Sequence, residues 1–292
     1  MTVGVLAMAY GTPRDRDDIE TYYTDIRRGR PPTPELLADL VRRYDALGGT
    51  FPLRDITDRQ VRALATALGD DYVVTLGTKH SVPKVEDGVA ELAQHGVDRV
   101  VGLVLAPHYS KFSIGEYAER AAKAGAELGV TVDTVASWHL LPAYVDFLAR
   151  GVAQALANVP KGSEVVFTAH SLPERILATG DPYPSQLRET AEAVAQLCGL
   201  ANWSVGWQSA GRTPEPWLGP DVLDIVRDRA GSAAGLVVCA CGFVADHLEV
   251  AYDLDLEAAA LARELGLPFA RTASVNDDPA VMSALAELVA QR

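Results

Sequence analysis

Short, continuous apolar runs alternate with longer amphipathic stretches along the whole chain. Such runs, bounded by turn residues, are typical of strands that are buried on both faces of a sheet. They predict strands at 3–9, 72–76, 99–105, 130–135, 164–169, 203–207, 236–240 and 268–271. The stretches between them predict helices at 17–28, 34–46, 58–68, 84–95, 115–128, 142–157, 185–198, 244–263 and 278–291. This alternation predicts an α/β fold with parallel sheets flanked by helices.

A turn-rich segment at 158–163 separates two series of these elements. It predicts an open α/β N-terminal domain over 1–157 and a similar C-terminal domain over 158–292, whose last helix could pack back on the first domain. The two halves also resemble each other, because a buried strand in each ends in a ring-bearing residue that a hydroxyl residue and a proline follow. Ligands of open α/β sheets bind beyond the carboxyl ends of the strands, so the two domains are expected to face one cleft.

Composition and charge narrow the classes of function. The chain has 292 residues, a formal net charge of −13 and three cysteines. The acidic balance argues against a nucleic-acid partner, and the low cysteine count gives no disulfide framework. The sequence has no apolar stretch of about 18 residues, and its first residues are typical of a strand rather than a signal peptide. We therefore expect no membrane span and a cytoplasmic location.

The first candidate residues for chemistry are His170 and Glu249, each of which follows a predicted buried strand. An imidazole and a carboxylate that face each other across a cleft can bind a divalent metal and move protons. Ser171 and Glu174 have the spacing of a capping box, which would start a helix and hold His170 at the sheet edge. The alternative interpretation is that His170 is a hydrogen-bonded core histidine.

Glu249 also begins an acidic series with Asp253 and Glu257. On an α-helix this spacing forms one stripe, which could pass a cation from solvent to an inner site. The alternative is an ordinary solvated helix face.

A basic and aromatic set could hold an anionic ligand despite the negative net charge. Arg27, Arg43 and Tyr44 belong to it, and guanidinium groups bind carboxylates through paired hydrogen bonds. The alternative is a solvated basic helix end. Trp207 and Trp217 could form a wall for a flat aromatic ligand or could simply be packed in a loop.

Six ordered stretches, which together cover essentially the whole chain, resemble the ferrochelatase family. They are MAYGTP at 8–13, IRRGR at 26–30, AHSLPE at 169–174, GWQS at 206–209, PWLGPD at 216–221 and GFVADHLEV at 242–250. The chain is most similar to the soluble bacterial form that uses coproporphyrin III, whose hallmark is the tyrosine of the first stretch.

The resemblance implies two Rossmann-like domains around a porphyrin cleft, as in other chelatases. It implies insertion of Fe(II) into coproporphyrin III, which gives coprohaem in haem biosynthesis and releases two protons. His170 would be the inner metal ligand or the proton acceptor, and Glu249 its partner across the macrocycle. Tyr10 would approach the metal from the side opposite His170.

The resemblance also implies how the substrates are held. Asp253 and Glu257 would belong to the outer metal path, and the propionates would be held by Thr12, Arg27, Arg43, Tyr44 and Tyr117. Phe51 departs from the family pattern, since relatives usually carry a serine there that contacts a propionate. Cys239 and Cys241 do not match the ligands of iron–sulfur-bearing relatives, so we expect no iron–sulfur cluster.

Two alternatives remain open from the sequence. A cobalt or nickel chelatase of the same fold would typically place more than one histidine at the metal, and a non-catalytic porphyrin or haem carrier would not need the acidic stripe. We further expect a monomer that makes transient contact with the next enzyme of the haem pathway.

Overall fold

The computed structural model describes residues 2–292, so residue 1, where the first predicted domain begins, lies outside the described residues. Eight strands form two four-stranded sheets in which every pairing is parallel. The first sheet has the order β2-β1-β3-β4 and the second has the order β6-β5-β7-β8. The strands are β1 (Val3–Ala9), β2 (Tyr72–Thr78), β3 (Arg99–Val104), β4 (Thr131–Val135), β5 (Glu164–His170), β6 (Trp203–Gln208), β7 (Leu236–Cys239) and β8 (Phe269–Arg271).

The central strands are apolar on both faces because helices cover both sides of each sheet. In β1 the residues from Val5 to Met8 are completely buried, and Val5 pairs with Val74 on one side and Val101 on the other. Both sheets repeat one strand order, with β5 in the place of β1. The similarity of the two halves in the sequence therefore corresponds to a repeated topology.

Twelve helices connect the strands within residues 2–292. They are α1 (Ile19–Ile26), α2 (Pro34–Ala46), α3 (Pro52–Leu68), α4 (Val85–Gln94), α5 (Ile114–Leu128), α6 (Pro142–Leu156), α7 (Arg175–Ala178), α8 (Tyr183–Cys198), α9 (Val222–Arg229), α10 (Leu248–Val250), α11 (Ala259–Glu264) and α12 (Pro279–Ala290). A 3₁₀ turn at Arg16–Asp18 precedes α1, and a π-helical segment at Ala251–Ala258 joins α10 to α11. In the described part of the chain, no helix combines the length and the apolar character needed to cross a membrane.

One cluster of buried apolar side chains joins the two halves, and Val5, Val101, Phe167 and Val281 all belong to it. Each half contributes a helix that packs against the other half. Helix α6 packs against α8 and β7, whereas α12 packs against α3. The α3–α12 side is reinforced by Gln60, whose amide donates a 2.8 Å hydrogen bond to the carbonyl just before α12.

The predicted fold class is confirmed, and most strand boundaries agree to within two residues. The differences have local causes. Helix α3 begins at Pro52 rather than at residue 58, because proline is well suited to the first helical position. Helix α9, which the sequence analysis did not predict, has only eight residues and is capped by Asp221, which accepts from the Leu223 amide. The division at residues 157 and 158 stays a prediction.

Candidate active site

The candidate site lies at the carboxyl ends of the strands, where the functional side chains of the second half come together. His170 is the last residue of β5, and the segment that follows the neighbouring strand β7 leads to Glu249 at the start of α10. The chain leaves β5 toward β6 and β7 toward β8, so these two strands flank the point where the strand order reverses. Open α/β sheets bind ligands at this point.

The backbone fixes the orientation of the His170 ring. Its Nδ1 lies 2.5 Å from the carbonyl oxygen of Ser171. A carbonyl oxygen can only accept, so Nδ1 must carry the hydrogen, and the neutral ring then has its lone pair on Nε2. Nε2 faces Glu249, with 3.8 Å between it and Oε2. His170 is thus a partly exposed strand-end histidine with a free proton-accepting nitrogen, and not a fully bonded core residue.

The predicted capping box at Ser171 and Glu174 is wrong. The Ser171 hydroxyl donates to the carbonyl of Leu218 at 2.8 Å, and no side chain caps helix α7. The loop around Leu218 takes the serine because it packs antiparallel to this segment, with Pro173 bridged to Trp217. His170 is consequently held by its strand and by this loop.

The prediction that Glu249 lies across the macrocycle from His170 is also wrong. Two groups on opposite faces of a flat ring must be about 7 Å apart, twice the contact distance of about 3.5 Å. The observed 3.8 Å places both groups on one side of the cleft. The reason is topological, since β5 and β7 are adjacent parallel strands whose carboxyl ends meet at one edge.

Glu249 lies between two imidazoles, because His247 Nε2 is 3.5 Å from the same Oε2 atom. Burial raises the pKa of Glu249, but His170, His247 and the more remote Arg43 together outweigh this effect and lower it. The carboxylate is therefore held in its charged form. His247 was missed as a site residue in the sequence analysis, although it stands beside Glu249 in the same strand-end stretch.

The acidic series continues from Glu249, but not on an ordinary α-helix. Asp253 and Glu257 lie in the π-helical segment, a form of helix that is rare and frequent at functional sites. The Asp253 side chain is only 10% exposed and accepts a 2.5 Å hydrogen bond from Ser209. Burial raises its pKa to about 6, and the charges of Glu249 and Glu257 add to the effect. Ser209, at the end of β6, is a second site residue that sequence reasoning missed.

The first half contributes aromatic and hydroxyl groups. Tyr10 follows β1 and is 45% exposed, and its ring forms an edge-to-face pair with His80 at a centroid distance of 4.7 Å. Burial raises the pKa of the Tyr10 hydroxyl, and the charge of Glu249 raises it further. Glu249 belongs to the other half, so charged groups of both halves act on this hydroxyl.

Thr12 and Tyr44 form a second group in the first half. Their hydroxyl oxygens are 3.5 Å apart, and burial raises the pKa of Tyr44 to about 12 although the bond to Thr12 opposes this. Phe51 stacks on the Tyr44 ring with 4.4 Å between centroids. The aromatic ring at position 51 thus supports Tyr44 from one side.

Arg43 is the residue of the basic set that reaches the other half. Its Nη1 lies 3.7 Å from Asp253, and its guanidinium lies 4.7 Å from the ring centroid of Tyr252. Arg27, in contrast, is bonded locally, with its Nε donating to the Arg30 carbonyl at 3.2 Å. Tyr117 is buried in α5, and the Lys79 ammonium lies 5.4 Å from its ring centroid.

Several other candidates lie in packed surroundings. Trp207 is buried in β6 against Tyr183, with 5.6 Å between ring centroids, so it belongs to the core rather than to a ligand wall. Cys239 and Cys241 are fully buried. Among residues 2–292, no three His, Cys, Asp or Glu side chains are grouped so that they alone could hold a metal ion.

The chain is similar to proteins of one family. The ferrochelatase family model matches residues 2–292. A protein named coproporphyrin III ferrochelatase from Halalkalibacterium halodurans is 43% identical over 300 residues, which cover 99% of this chain and 97% of the relative. The protein of the same name from Geobacillus kaustophilus is 44% identical over 303 residues, covering 100% of this chain and 96% of the relative.

Two solved structures share the fold of this chain. A sirohydrochlorin chelatase from Bacillus subtilis in complex with cobalt superposes with a TM-score of 0.60 at 10% identity, covering 100% of this chain and 95% of that chain. The terminal enzyme of sirohaem biosynthesis in denitrifying bacteria gives a TM-score of 0.59 at 16% identity, with 99% and 98% covered. At these identities the likeness concerns the fold alone.

Proposed function

Because the chain belongs to the ferrochelatase family, we propose that it inserts Fe(II) into coproporphyrin III to form coprohaem. The observation that carries the proposal is the contact between His170 and Glu249 at the carboxyl edge of the second sheet. It joins a proton-accepting nitrogen to a charged carboxylate at the carboxyl ends of β5 and β7.

The chemistry requires a group that removes protons and a group that guides the metal. A free porphyrin is flat and carries two inward-pointing N–H groups, so both protons must leave when Fe(II) takes their place. Nε2 of His170 can accept the two protons in turn, because Nδ1 holds the ring hydrogen on the other side and the partly exposed ring can release the first proton to solvent before it takes the second. Glu249 can stabilise the imidazolium that results and can contact the incoming Fe(II).

Both groups lie on one side, so the macrocycle would rest between them and Tyr10. A cleft that bends the ring exposes the nitrogen lone pairs on one face, and binding energy from the remote carboxylates offsets the strain. We place Tyr10 on the face of the ring opposite His170. Asp253 and Glu257 continue the acidic series away from Glu249 and form the outer part of the metal path.

The four carboxylates of coproporphyrin III require several cationic and hydrogen-bond-donating side chains. Arg27 and Arg43 supply cations, and Thr12, Tyr44 and Tyr117 supply hydroxyl donors. Phe51 stacks on Tyr44 and supplies no hydroxyl at position 51. One propionate is therefore held by the remaining donors.

The test is an anaerobic insertion assay. The protein is mixed with Fe(II) and either coproporphyrin III or protoporphyrin IX, and metalation is followed by absorption. Turnover selective for coproporphyrin III supports the proposal. Tight binding without turnover would support a carrier instead.

The second imidazole of the site, that of His247, affects the choice between Fe(II) and the alternative metals Co(II) and Ni(II). His247 lies 3.5 Å from Glu249, so the number of histidines no longer argues against a cobalt or nickel chelatase. The assay is therefore repeated with Co(II) and Ni(II) on sirohydrochlorin, and faster turnover there would replace the proposed reaction. The cytoplasmic location, the monomeric state and the contact with the next haem-pathway enzyme stay predictions.

A further inference from the structure

Arg43 links the proposed porphyrin site to the proposed metal path, although the two have so far been described separately. It lies near the end of α2 in the first half, and its side chain is 26% exposed. From there it reaches Asp253 in the second half and covers the ring of Tyr252. A residue assigned to a propionate thus has a carboxylate of this chain as its partner.

The present contacts hold the guanidinium loosely. Nε is 3.4 Å from Asp39 and Nη1 is 3.7 Å from Asp253. Both distances are longer than those of a charge-assisted hydrogen bond, which are about 2.7–2.9 Å. Nε is also buried without any hydrogen-bond partner. A guanidinium prefers two parallel bonds to one carboxylate, so an incoming carboxylate can offer Arg43 better geometry than Asp253 does.

Asp253 depends on Arg43 for compensation of charge. Its other polar contact is the neutral hydroxyl of Ser209, and the negative charges of Glu249 and Glu257 raise its pKa. Without the cation, three carboxylates repel one another along this segment. A divalent cation would relieve that repulsion.

We infer that Arg43 exchanges Asp253 for a carboxylate of the porphyrin, so that porphyrin binding frees the acidic series to take up Fe(II). This inference rests on the proposed function. Porphyrin and metal then bind with positive coupling, and each must strengthen the other by the same factor. Coupling between sites is typically about 5- to 150-fold in affinity.

The coupling can be measured without turnover. Zinc coproporphyrin III presents the same carboxylates but already carries a metal, so no insertion occurs. Binding of Mn(II) is followed by loss of the free-ion electron paramagnetic resonance signal, with and without saturating zinc coproporphyrin III. We expect Mn(II) to bind at least about 5-fold more tightly when the porphyrin is present.

Variants separate the exchange from simple attraction of Mn(II) to the porphyrin carboxylates. Arg43→Ala should bind Mn(II) at least about 5-fold more tightly without porphyrin and should show little further gain with it. Arg42→Ala is the matched control, because Arg42 is the neighbouring arginine, pairs with Asp39 and is largely exposed. It should keep the coupling of the wild type. Asp253→Asn should weaken Mn(II) binding in both conditions.

The outcomes are distinct. If an absorption titration shows that zinc coproporphyrin III binds but the Mn(II) affinity of the wild type is unchanged, the exchange is refuted. Iron insertion by the same sample would still support the proposed function. If the porphyrin neither binds nor is metalated, both proposals fall. Equal coupling in Arg43→Ala and the wild type would refute the role of Arg43. Should Arg43→Ala not fold, the wild-type measurement alone still decides whether coupling exists.

Discussion

Replacement of Gly242 by alanine is expected to reduce both the stability and the activity of the protein. Gly242 follows β7, and its amide donates a 2.9 Å hydrogen bond to the carbonyl of Thr168 in β5. A Cβ atom at this position would lie 2.3 Å from Cβ and 2.6 Å from Cα of Ala169. Ala169 is fully buried and immediately precedes His170. The glycine thus permits a close approach beside the strand that ends in His170.

The size of the effect follows from these distances. Carbon atoms in contact are normally about 3.5–4.0 Å apart, so the two segments must separate by more than about 1 Å. Overpacking of this kind costs about 1–3 kcal/mol, which for a chain of 292 residues lowers Tm by about 2–5 °C. A displacement of about 1 Å at His170 can reduce turnover by about 100-fold.

Gly151 provides the matched control, because a Cβ atom there meets the Thr272 Cβ at an ordinary 3.5 Å. It lies inside α6, where alanine is more favourable than glycine by about 0.5–1 kcal/mol. Gly151→Ala should therefore raise the free energy of unfolding in urea, whereas Gly242→Ala should lower it. Iron insertion is measured on both variants.

Equal stability and equal turnover of Gly242→Ala and the wild type would refute the reasoning, since the close approach to Ala169 could not then exist. Loss of stability with full turnover would show that the strain relaxes away from His170.

Three further predictions concern the base, a remote ion pair and bound iron. His170→Ala should reduce insertion of Fe(II) by about 10²- to 10⁴-fold while coproporphyrin III still binds by absorption titration, and unchanged turnover would exclude His170 from the mechanism. Burial raises the pKa of Glu164, but hydrogen bonds from Arg229 and Ser204 outweigh this effect and lower the pKa in the folded protein. The contribution of Glu164 to the free energy of unfolding is therefore fully present above pH 4.5, and it is lost as the pH falls through the lowered pKa of the folded state. Glu164→Gln should therefore lower the free energy of unfolding in urea by about 1.5 kcal/mol at pH 7, which is near the lower end for hydrogen bonds to charged groups because Arg229 is partly exposed. The difference in stability between variant and wild type should narrow below pH 4.5. Finally, the purified protein should contain no iron–sulfur cluster, and about two iron atoms per chain without substrate would contradict this.

The parts of the fold that the sequence predicted well depend on local pattern. Strand β1 was predicted with its observed bounds because strands of a parallel sheet are apolar on both faces and end abruptly at polar residues. Helix α2 was also predicted with its bounds, since Thr33 accepts from the Leu36 amide and Pro34 starts the helix. In both cases neighbours along the chain carry the information.

The parts that failed depend on neighbours in space. Glu249 lies on the same side as His170 because β5 and β7 are adjacent strands. The spacing of residues along the chain does not reveal the order of strands in a sheet, so the sequence could not predict this. Ser171 had the spacing of a cap, but a distant loop offered its hydroxyl a better acceptor. The π-helical segment was likewise hidden, because its acidic residues are spaced as they would be on an α-helix.

The interior shared by the two sheets decides which component of the complex deforms. Val5 of the first sheet and Phe167 of the second belong to one packed cluster, and α6 and α12 each cover the opposite half. Protein interiors are as dense as organic crystals and resist compression, so the halves cannot swing apart without opening this interior. A receptor bends its ligand only when it is the stiffer of the two. With this framework, the tetrapyrrole is the component expected to yield.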